Sequence, residues 1–296
     1  MSRARDHAIE LRHLRCFLAI AEEGGVTRAA ARLGLTQPAV SRTLAALETA
    51  LSVRLVDRST HHLALTPEGH AFQEKAAVAV AAFEDAVAAA RTTHRPLRLG
   101  HAWSAAGDFT TPLLRRWRRT HPDVPLVLLR IDDRTAGLTR GTVDVALLRG
   151  PVEAPGLVTE LLHRESRVAA LPADSPLAHR PALTLDDLRD EVIALNTVSG
   201  TTTLDLWPPA ARPTAVLTVA NTDDWLATIA AGQAVGVTST ATAGMHPYPG
   251  VTFVPLTDAP DLPVHLARRE GPGHPSGPDL IALAHEVAAQ GRQTPG

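Results

Sequence analysis

The chain has 296 residues, 45% of them hydrophobic and 20% charged, with a formal net charge of −2. That length exceeds what one small core serves, so two or three domains are expected, and the mix excludes a disordered chain. Residues 1–65 hold nine Arg and no Lys against six Asp and Glu, while the remainder is acidic; a basic head on an acidic body suits an anion-binding module joined to a larger domain.

The start, "MSRARDHAIELRHLRCF", carries charges through its first fifteen positions and lacks the apolar core of a secretory signal. No run of about 18 uncharged apolar residues follows anywhere, so no membrane partner and a cytoplasmic location are expected. Cys16 is the lone cysteine, which excludes an internal disulfide and a cysteine-based zinc site. Leu11, Leu14, Leu18 and Ala21, with Phe17 beside them, recur at helical steps, and "EEGGV" breaks that helix. Thr27 is expected to cap a short second helix, Arg28 to Leu33, which Gly34 stops by tolerating a left-handed turn. Thr36 or Gln37 starts a third helix with Pro38 in its first turn, where no N–H is needed. Its inward stripe is Val40, Leu44, Leu47 and Leu51; Gln37, Ser41, Arg42 and Ala45 lie away from it.

Two helices around so tight a turn form a helix-turn-helix, whose second helix enters the major groove of DNA. Gln pairs with adenine, Arg bridges two acceptors of guanine, and an alanine methyl or proline methylene touches a thymine methyl. A helical hairpin with no nucleic-acid role is the alternative at this point. "LSVRLVDRSTHHLALTPEG" then reads as a hairpin wing, with Arg54 and Arg58 placed to meet phosphates. His61 and His62 read as loop residues, since no third metal ligand is near.

The order of these segments resembles the winged helix of LysR-type transcriptional regulators. The shared features are "F-x-A-x-A-E-x-G", "T-R-A-A-x-x-L", "T-Q-P-A-V-S-R", "L-E-x-x-L-x-V-R-L", "D-R" and "L-T-x-x-G". The resemblance implies that Gln37, Pro38, Ala39, Ser41 and Arg42 read or clamp a dyad-symmetric operator. It likewise implies that Arg28, Arg54 and Arg58 contact or steer toward phosphate, and Thr27 is a further DNA-binding candidate. Val56-Asp57 depart from the family, which usually has Phe and often Glu before the Arg.

Thr66 caps and Pro67 opens a long helix to about Arg91. Phe72, Ala76, Val80, Phe83, Val87 and Ala90 step by four and three, the spacing of a self-pairing rod. By the resemblance, chains dimerise through this linker, which places two recognition helices on a dyad-symmetric site; a homodimer or a homotetramer is expected. "TTHRP" at 92–96 is expected to be a hinge.

Beyond it, "PLRLG", "PLVLLRI" and "VDVALLRG" read as strands, with helices expected at Asp108 to Thr120 and Asp132 to Arg140. Alternation of this kind implies a mostly parallel sheet, with ligands at the carboxyl ends of strands. A second unit, about Arg164 to Pro260, reads as strand, loop, helix and strand through "VAALPADSPLAHRPALTLDDLRDEVIALN". A helix and a strand follow in "TDDWLATIAAGQAVGVTS", and another strand in "VTFVPL". "LPVHLARREG" and a helix over Pro278 to Ala289 rejoin the first unit, leaving a cleft between two lobes. "PDVPL", "G-x-V-D-V-A-L", "LPADSPLA", "L-x-D-L" and "A-A-G-x-A-V-G-V" resemble the effector domain of the same family, which is similar to periplasmic binding proteins.

The expected fold is thus α/β overall. A winged helix-turn-helix occupies 1–65 and a linker helix and hinge 66–95. A two-lobed effector domain occupies 96–296, with lobe I at 96–163 and 263–296 and lobe II at 164–262. Cleft candidates follow strands: Ser104, Arg130 and Asp132 in lobe I, and Asn196, Thr197, Ser199, Gly200, Thr201, Thr202 and Thr222 in lobe II. Hydroxyls, amides and a glycine in "NTVSGTTT" suit a small carboxylate or polar effector. By the resemblance, Asp132-Asp133 replace small polar residues and favour a cationic or hydroxyl-rich effector.

No "G-x-S-x-G", "H-E-x-x-H", P-loop or Rossmann signature is present, and Lys75 is the only lysine. No catalytic residue, cofactor or metal site is therefore expected. The expected function is a DNA-binding transcriptional regulator modulated by a small effector, with RNA polymerase as a further partner. The alternative is a two-lobed small-molecule-binding protein or enzyme without a DNA-binding role.

Overall fold

Glu10 donates its backbone N–H to His13 Nδ1 at 2.9 Å, and from there α1 runs Leu11–Glu23 until Gly24, at φ +59°, ends it. The structure, a computed structural model, describes residues 9–57, 63–91, 95–152, 154–271 and 273–291. The chain divides into two units, residues 1–93 with 139–141 and residues 94–138 with 142–296.

In the N-terminal unit, α2 spans Val26–Leu33 and is capped by Gly25. Thr27 therefore lies inside the first turn and is not the cap: Gly24-Gly25 already supply the break, and the Gly25 carbonyl accepts from Ala29 N–H at 3.0 Å. Gly34, at φ +66°, closes α2, with its own N–H on Ala31 O and that of Leu35 on Ala30 O at 3.0 Å. These bonds occupy carbonyls the helix end would leave bare. Helix α3 (Gln37–Leu51) starts from Thr36 in extended backbone with Pro38 in the first turn, as the sequence predicts. Val40, Leu44 and Leu47 are buried with Phe17, Ile20, Ala29 and Leu55.

Strands β1 (Val56–Asp57) and β2 (Ala64–Leu65) pair antiparallel; Arg58 and the histidines expected at the wing tip lie outside the described residues. Glu48 anchors the wing by accepting from Leu55 N–H at 2.9 Å and Val56 N–H at 3.2 Å. Thr66 donates to Arg54 O and accepts from Gly69 N–H, capping α4 (Pro67–Arg91). The rod begins inside the head: Phe72 meets Phe17 edge to face at 5.3 Å.

The C-terminal unit has two lobes. Lobe I is a five-stranded sheet in the order β4-β3-β5-β12-β6, made of β3 (Leu97–His101), β4 (Leu126–Arg130), β5 (Val145–Arg149), β6 (Leu157–Glu165) and β12 (Leu262–Arg269). Strand β3 pairs parallel with β4 and β5, whereas β12 runs antiparallel to β5 and β6. Alternate side chains serve two cores. Val145 and Leu147 meet α5 (Thr110–Thr120) and α8 (Gly277–Gly291) through Leu113, Trp117 and Leu280; Ala146 and Leu148 meet Ala136 and Leu138.

The helix expected over Asp132 to Arg140 is absent. Asp133 Oδ1 instead accepts from the N–H groups of Thr135 and Gly137, and Ala136, Gly137 and Gly141 take positive φ, so the segment folds as turns. Strand β6, at the sheet edge, was not among the expected elements.

Lobe II contains β7 (Arg167–Pro172), flanked antiparallel by β10 (Gly236–Ser239) and β11 (Val251–Pro255). A parallel pair, β8 (Ile193–Asn196) and β9 (Val216–Val219), is joined to it by a bridge from Ile193 to Val235. Strand β9 was also not expected, and the helix expected around "LDDLRDE" is a single 3₁₀ turn, Asp186–Leu188. Helices α6 (Thr222–Ala230) and α7 (Thr240–Met245) complete the lobe. Trp207 and Trp225 are buried, each donating its indole N–H to a backbone carbonyl, of Leu185 and of Ala194. Two crossings join the lobes, at Ser166 and between β11 and β12.

Candidate DNA-facing surface and ligand cleft

On α3 the buried stripe leaves the opposite side open. Gln37, Pro38 and Arg42 are exposed, and Ala39 and Ser41 are half-buried. Gln37 Nε2 donates to Ser41 Oγ at 3.1 Å, while Arg42 makes no hydrogen bond or ion pair among the described residues. Thr27 and Arg54 are exposed as well. Arg28 is turned back, its Nε donating to Glu23 O at 2.6 Å. The surface so formed has a free cation, an amide and small apolar groups on a rigid helix, with Leu35 exposed at the turn before it. These groups match the donors and methyl contacts that base edges accept.

A cavity of about 590 Å³ lies between the lobes. Asn196, Ser199, Gly200, Thr201, Thr202 and Thr222 line it, all from lobe II. Asn196 Oδ1 accepts from the N–H groups of Val198 and Ser199, and Gly200 N–H reaches Asn196 O at 3.1 Å. A Cβ on Gly200 would stand 2.1 Å from that carbonyl oxygen, so only glycine allows the turn. Asn221, not Thr222, caps α6 by accepting from Asp224 N–H; Thr222 is the helix's first residue and is buried at the cavity wall.

Ser104, Arg130, Asp132 and Thr197 are not among the lining residues. Ser104 is buried and left-handed at φ +53°; Thr197 is exposed. Arg130 bridges the lobes, bonding Asp132 at 3.0 Å and Asp223 of α6 at 3.1 Å, with its guanidinium 4.5 Å from the Trp103 ring centre. Trp103 also stacks on His246 of lobe II at 4.1 Å. The acids expected to favour a cation are therefore already occupied, Asp132 by Arg130 and Asp133 by its turn.

Sequence reasoning missed Trp103, Arg149, Arg167, Trp225, Thr238 and Thr242, which also line the cavity. Position at strand ends was the available signal, since Arg149 ends β5 and Arg167 begins β7. Arg149 forks onto Glu165 at 2.8 and 3.0 Å and donates to the carbonyls of Trp103 and Ala105 at 2.7 Å each. Burial opposes ionisation of Glu165, yet hydrogen bonds from His163 and Arg149 outweigh it and hold its carboxyl down at about 2. Burial, then the charges of Arg149 and Arg130, push His101 down to about 4.

A helix-turn-helix unit with a helical rod, and a two-lobed α/β unit around a cavity, make up the described architecture. Residues 11–70 match the family described as bacterial regulatory helix-turn-helix protein, lysR family, and residues 90–289 match the LysR substrate binding domain. The chain belongs to the LysR family. It is 32% identical over 206 residues to the transcriptional regulator AlsR of Bacillus subtilis, covering 68% of this chain and 66% of AlsR, just under two thirds of that relative. It is 28% identical over 276 residues to the transcriptional regulator BenM of Acinetobacter baylyi, covering 88% of this chain and 90% of BenM. The crystal structure of full-length BenM resembles this one with a TM-score of 0.55 at 26% identity, over 96% of this chain and 97% of that one. The regulator CbnR gives a TM-score of 0.65 at 24% identity, over 95% of this chain and 99% of that one, a likeness of fold.

Proposed function

We propose that this chain regulates transcription by laying α3 in the major groove of a dyad-symmetric DNA site, under control of a small molecule held between the two lobes. Gln37, Pro38, Ala39, Ser41 and Arg42 face base edges, and Thr27, Arg28, Arg54 and Arg58 face the phosphate backbone. Self-association through α4 into a dimer or tetramer supplies the second copy that the dyad requires. The protein then acts where the chromosome lies, in the cytoplasm, and meets RNA polymerase at the promoter. Asn196, Ser199, Thr201, Thr202 and Thr222 contact the effector. Ligand binding favours one of two lobe arrangements, in proportion to its differential affinity for them.

The carrying observation is Arg42, an exposed guanidinium with no hydrogen bond or ion pair among the described residues, one turn beyond Gln37 and Pro38 on a helix whose other face is core. The test is fluorescence anisotropy with the DNA just upstream of the chain's own gene, titrated at several salt concentrations. Affinity is expected to fall linearly with salt on logarithmic axes. Arg42→Ala should weaken binding by about 1–3 kcal/mol, while Arg54→Ala should lower the salt slope by about one. Unchanged affinity in Arg42→Ala, with normal assembly, would remove the recognition role. Absence of any DNA binding would favour a binding protein without a regulatory head.

A further inference from the structure

A cluster of four side chains crosses from lobe to lobe beside the cavity. Trp103 follows β3 and Arg130 ends β4, both in lobe I; Asp223 lies in the first turn of α6 and His246 follows α7, both in lobe II. Arg130 Nη2 donates to Asp223 Oδ2 at 3.1 Å across the gap and to Asp132 Oδ2 at 3.0 Å within its own lobe. Its guanidinium stands 4.5 Å from the centre of the Trp103 ring, and that indole lies 4.1 Å from the His246 ring, tilted by 33°. The lobes therefore meet here through an ion pair and a ring stack, which one cation–π contact ties together.

The surroundings suit a contact that forms and breaks. Trp103 Nε1 and His246 Nε2 are buried and find no hydrogen-bond partner among the described residues. A permanent interior satisfies such atoms, whereas separation of the lobes would give them to water. Burial, then the Arg130 charge, lowers the proton affinity of His246 and so favours a neutral ring against the indole. The Arg130 and Asp223 side chains are 39% and 65% exposed, so their pair is weak and sensitive to salt. A small ligand can release a hold of that size, since only a modest difference in affinity between two lobe arrangements is needed. Trp103 also lines the cavity, so whatever fills it lies against one member of the cluster.

We infer that Trp103, Arg130, Asp223 and His246 form a latch that holds the two lobes together in the free protein, and that its release belongs to the response to ligand. The second clause rests on the cleft being a ligand site, as proposed above; the first does not. Asp132 stands outside the latch, because its bond to Arg130 stays within lobe I.

The test is acrylamide quenching of tryptophan fluorescence in the full chain without ligand. Trp117, Trp207 and Trp225 are 1%, 1% and 5% exposed, so the quenching slope reports chiefly on Trp103. Asp223→Asn is expected to move the open-to-closed ratio about two- to fivefold, the worth of an exposed ion pair, and to steepen the slope. Asp132→Asn removes an equal charge from beside Arg130 but within lobe I, and should leave the slope near that of the wild type. Added to Arg130→Gln, Asp223→Asn should steepen it no further, because the bond is already gone. Should Asp223→Asn fail to fold, raising salt from about 0.1 to about 1 M must steepen the wild-type slope. An unchanged slope in Asp223→Asn, or an equal rise in Asp132→Asn, would overturn the latch and leave the cleft a ligand site. DNA affinity measured in parallel should change in Asp223→Asn, by no more than the same factor, as linkage requires. A steeper slope with unaltered DNA affinity would keep the latch and overturn its part in the response.

Discussion

Glu165 ends β6 with its carboxylate between Arg149 and His163, and its side chain is 5% exposed. Folded, it takes a proton near pH 2, against 4.5 for the free group, so between those values the unfolded chain holds more protons and acid favours unfolding. His101 acts in the same direction higher up: burial and neighbouring arginines keep it neutral down to about pH 4, whereas an unfolded histidine charges near 6.5. Urea midpoints should thus be steady above about pH 6.5, fall between 6.5 and 4, and fall again below 4.5. His246 and His265, also pushed down by burial, act the same way, so His101→Asn should make the first stage shallower without abolishing it; an unaltered upper limb would show that other groups govern it. Glu165→Ala strands the Arg149 charge in the interior and should cost roughly 3–5 kcal/mol. Glu286→Ala, which removes the exposed partner of Arg116, should cost less than about 1 kcal/mol in the same denaturation assay.

Two glycines show how elements are held. Gly34 turns the chain between α2 and α3 at φ +66° with open space where a Cβ would go, so Gly34→Ala meets only backbone strain, about 1–2 kcal/mol. Gly100, in β3, would bring a Cβ to 2.4 Å from the backbone oxygen of Ala136 and against Val143. Gly100→Ala should therefore destabilise more than Gly34→Ala in thermal melts of the full chain, because the turn at 132–142 must back away from the sheet. The Gly34 turn was legible in the sequence, since its breakers and apolar steps lie within a few residues. The contact at Gly100 was not, because Ala136 is brought there by the fold. Strands β6 and β9 escaped notice for a related reason. Leu161 in β6 and Val216 in β9 are exposed while Leu162 is buried, so neither strand shows a clean apolar face. Asp133 and Gly137 could have warned against a helix at 132–140, but their effect depends on an Asx bond that only coordinates reveal. In the cleft, "NTVSGTTT" announced itself by composition. Arg149 and Arg167 did not, since an arginine at a strand end is ordinary until its surroundings are known.

Over the whole molecule, the same sequence rules that found the rod also say what it leaves uncovered. Phe83 on α4 is 47% exposed, with the Arg15 guanidinium 5.7 Å from its ring centre. A large apolar side chain left open on a helix of coiled-coil spacing supports a second copy as its cover. Phe83→Asp should shift the protein to a smaller species in sedimentation equilibrium, and DNA affinity should drop as the paired head is lost. Unchanged mass would place the assembly surface elsewhere.

Because Phe72 is lodged against Phe17, the first turns of α4 are continuous with the interior that also fixes α3. A change in the direction of those first turns is therefore expected to be felt on the exposed side of α3, where Arg42 stands.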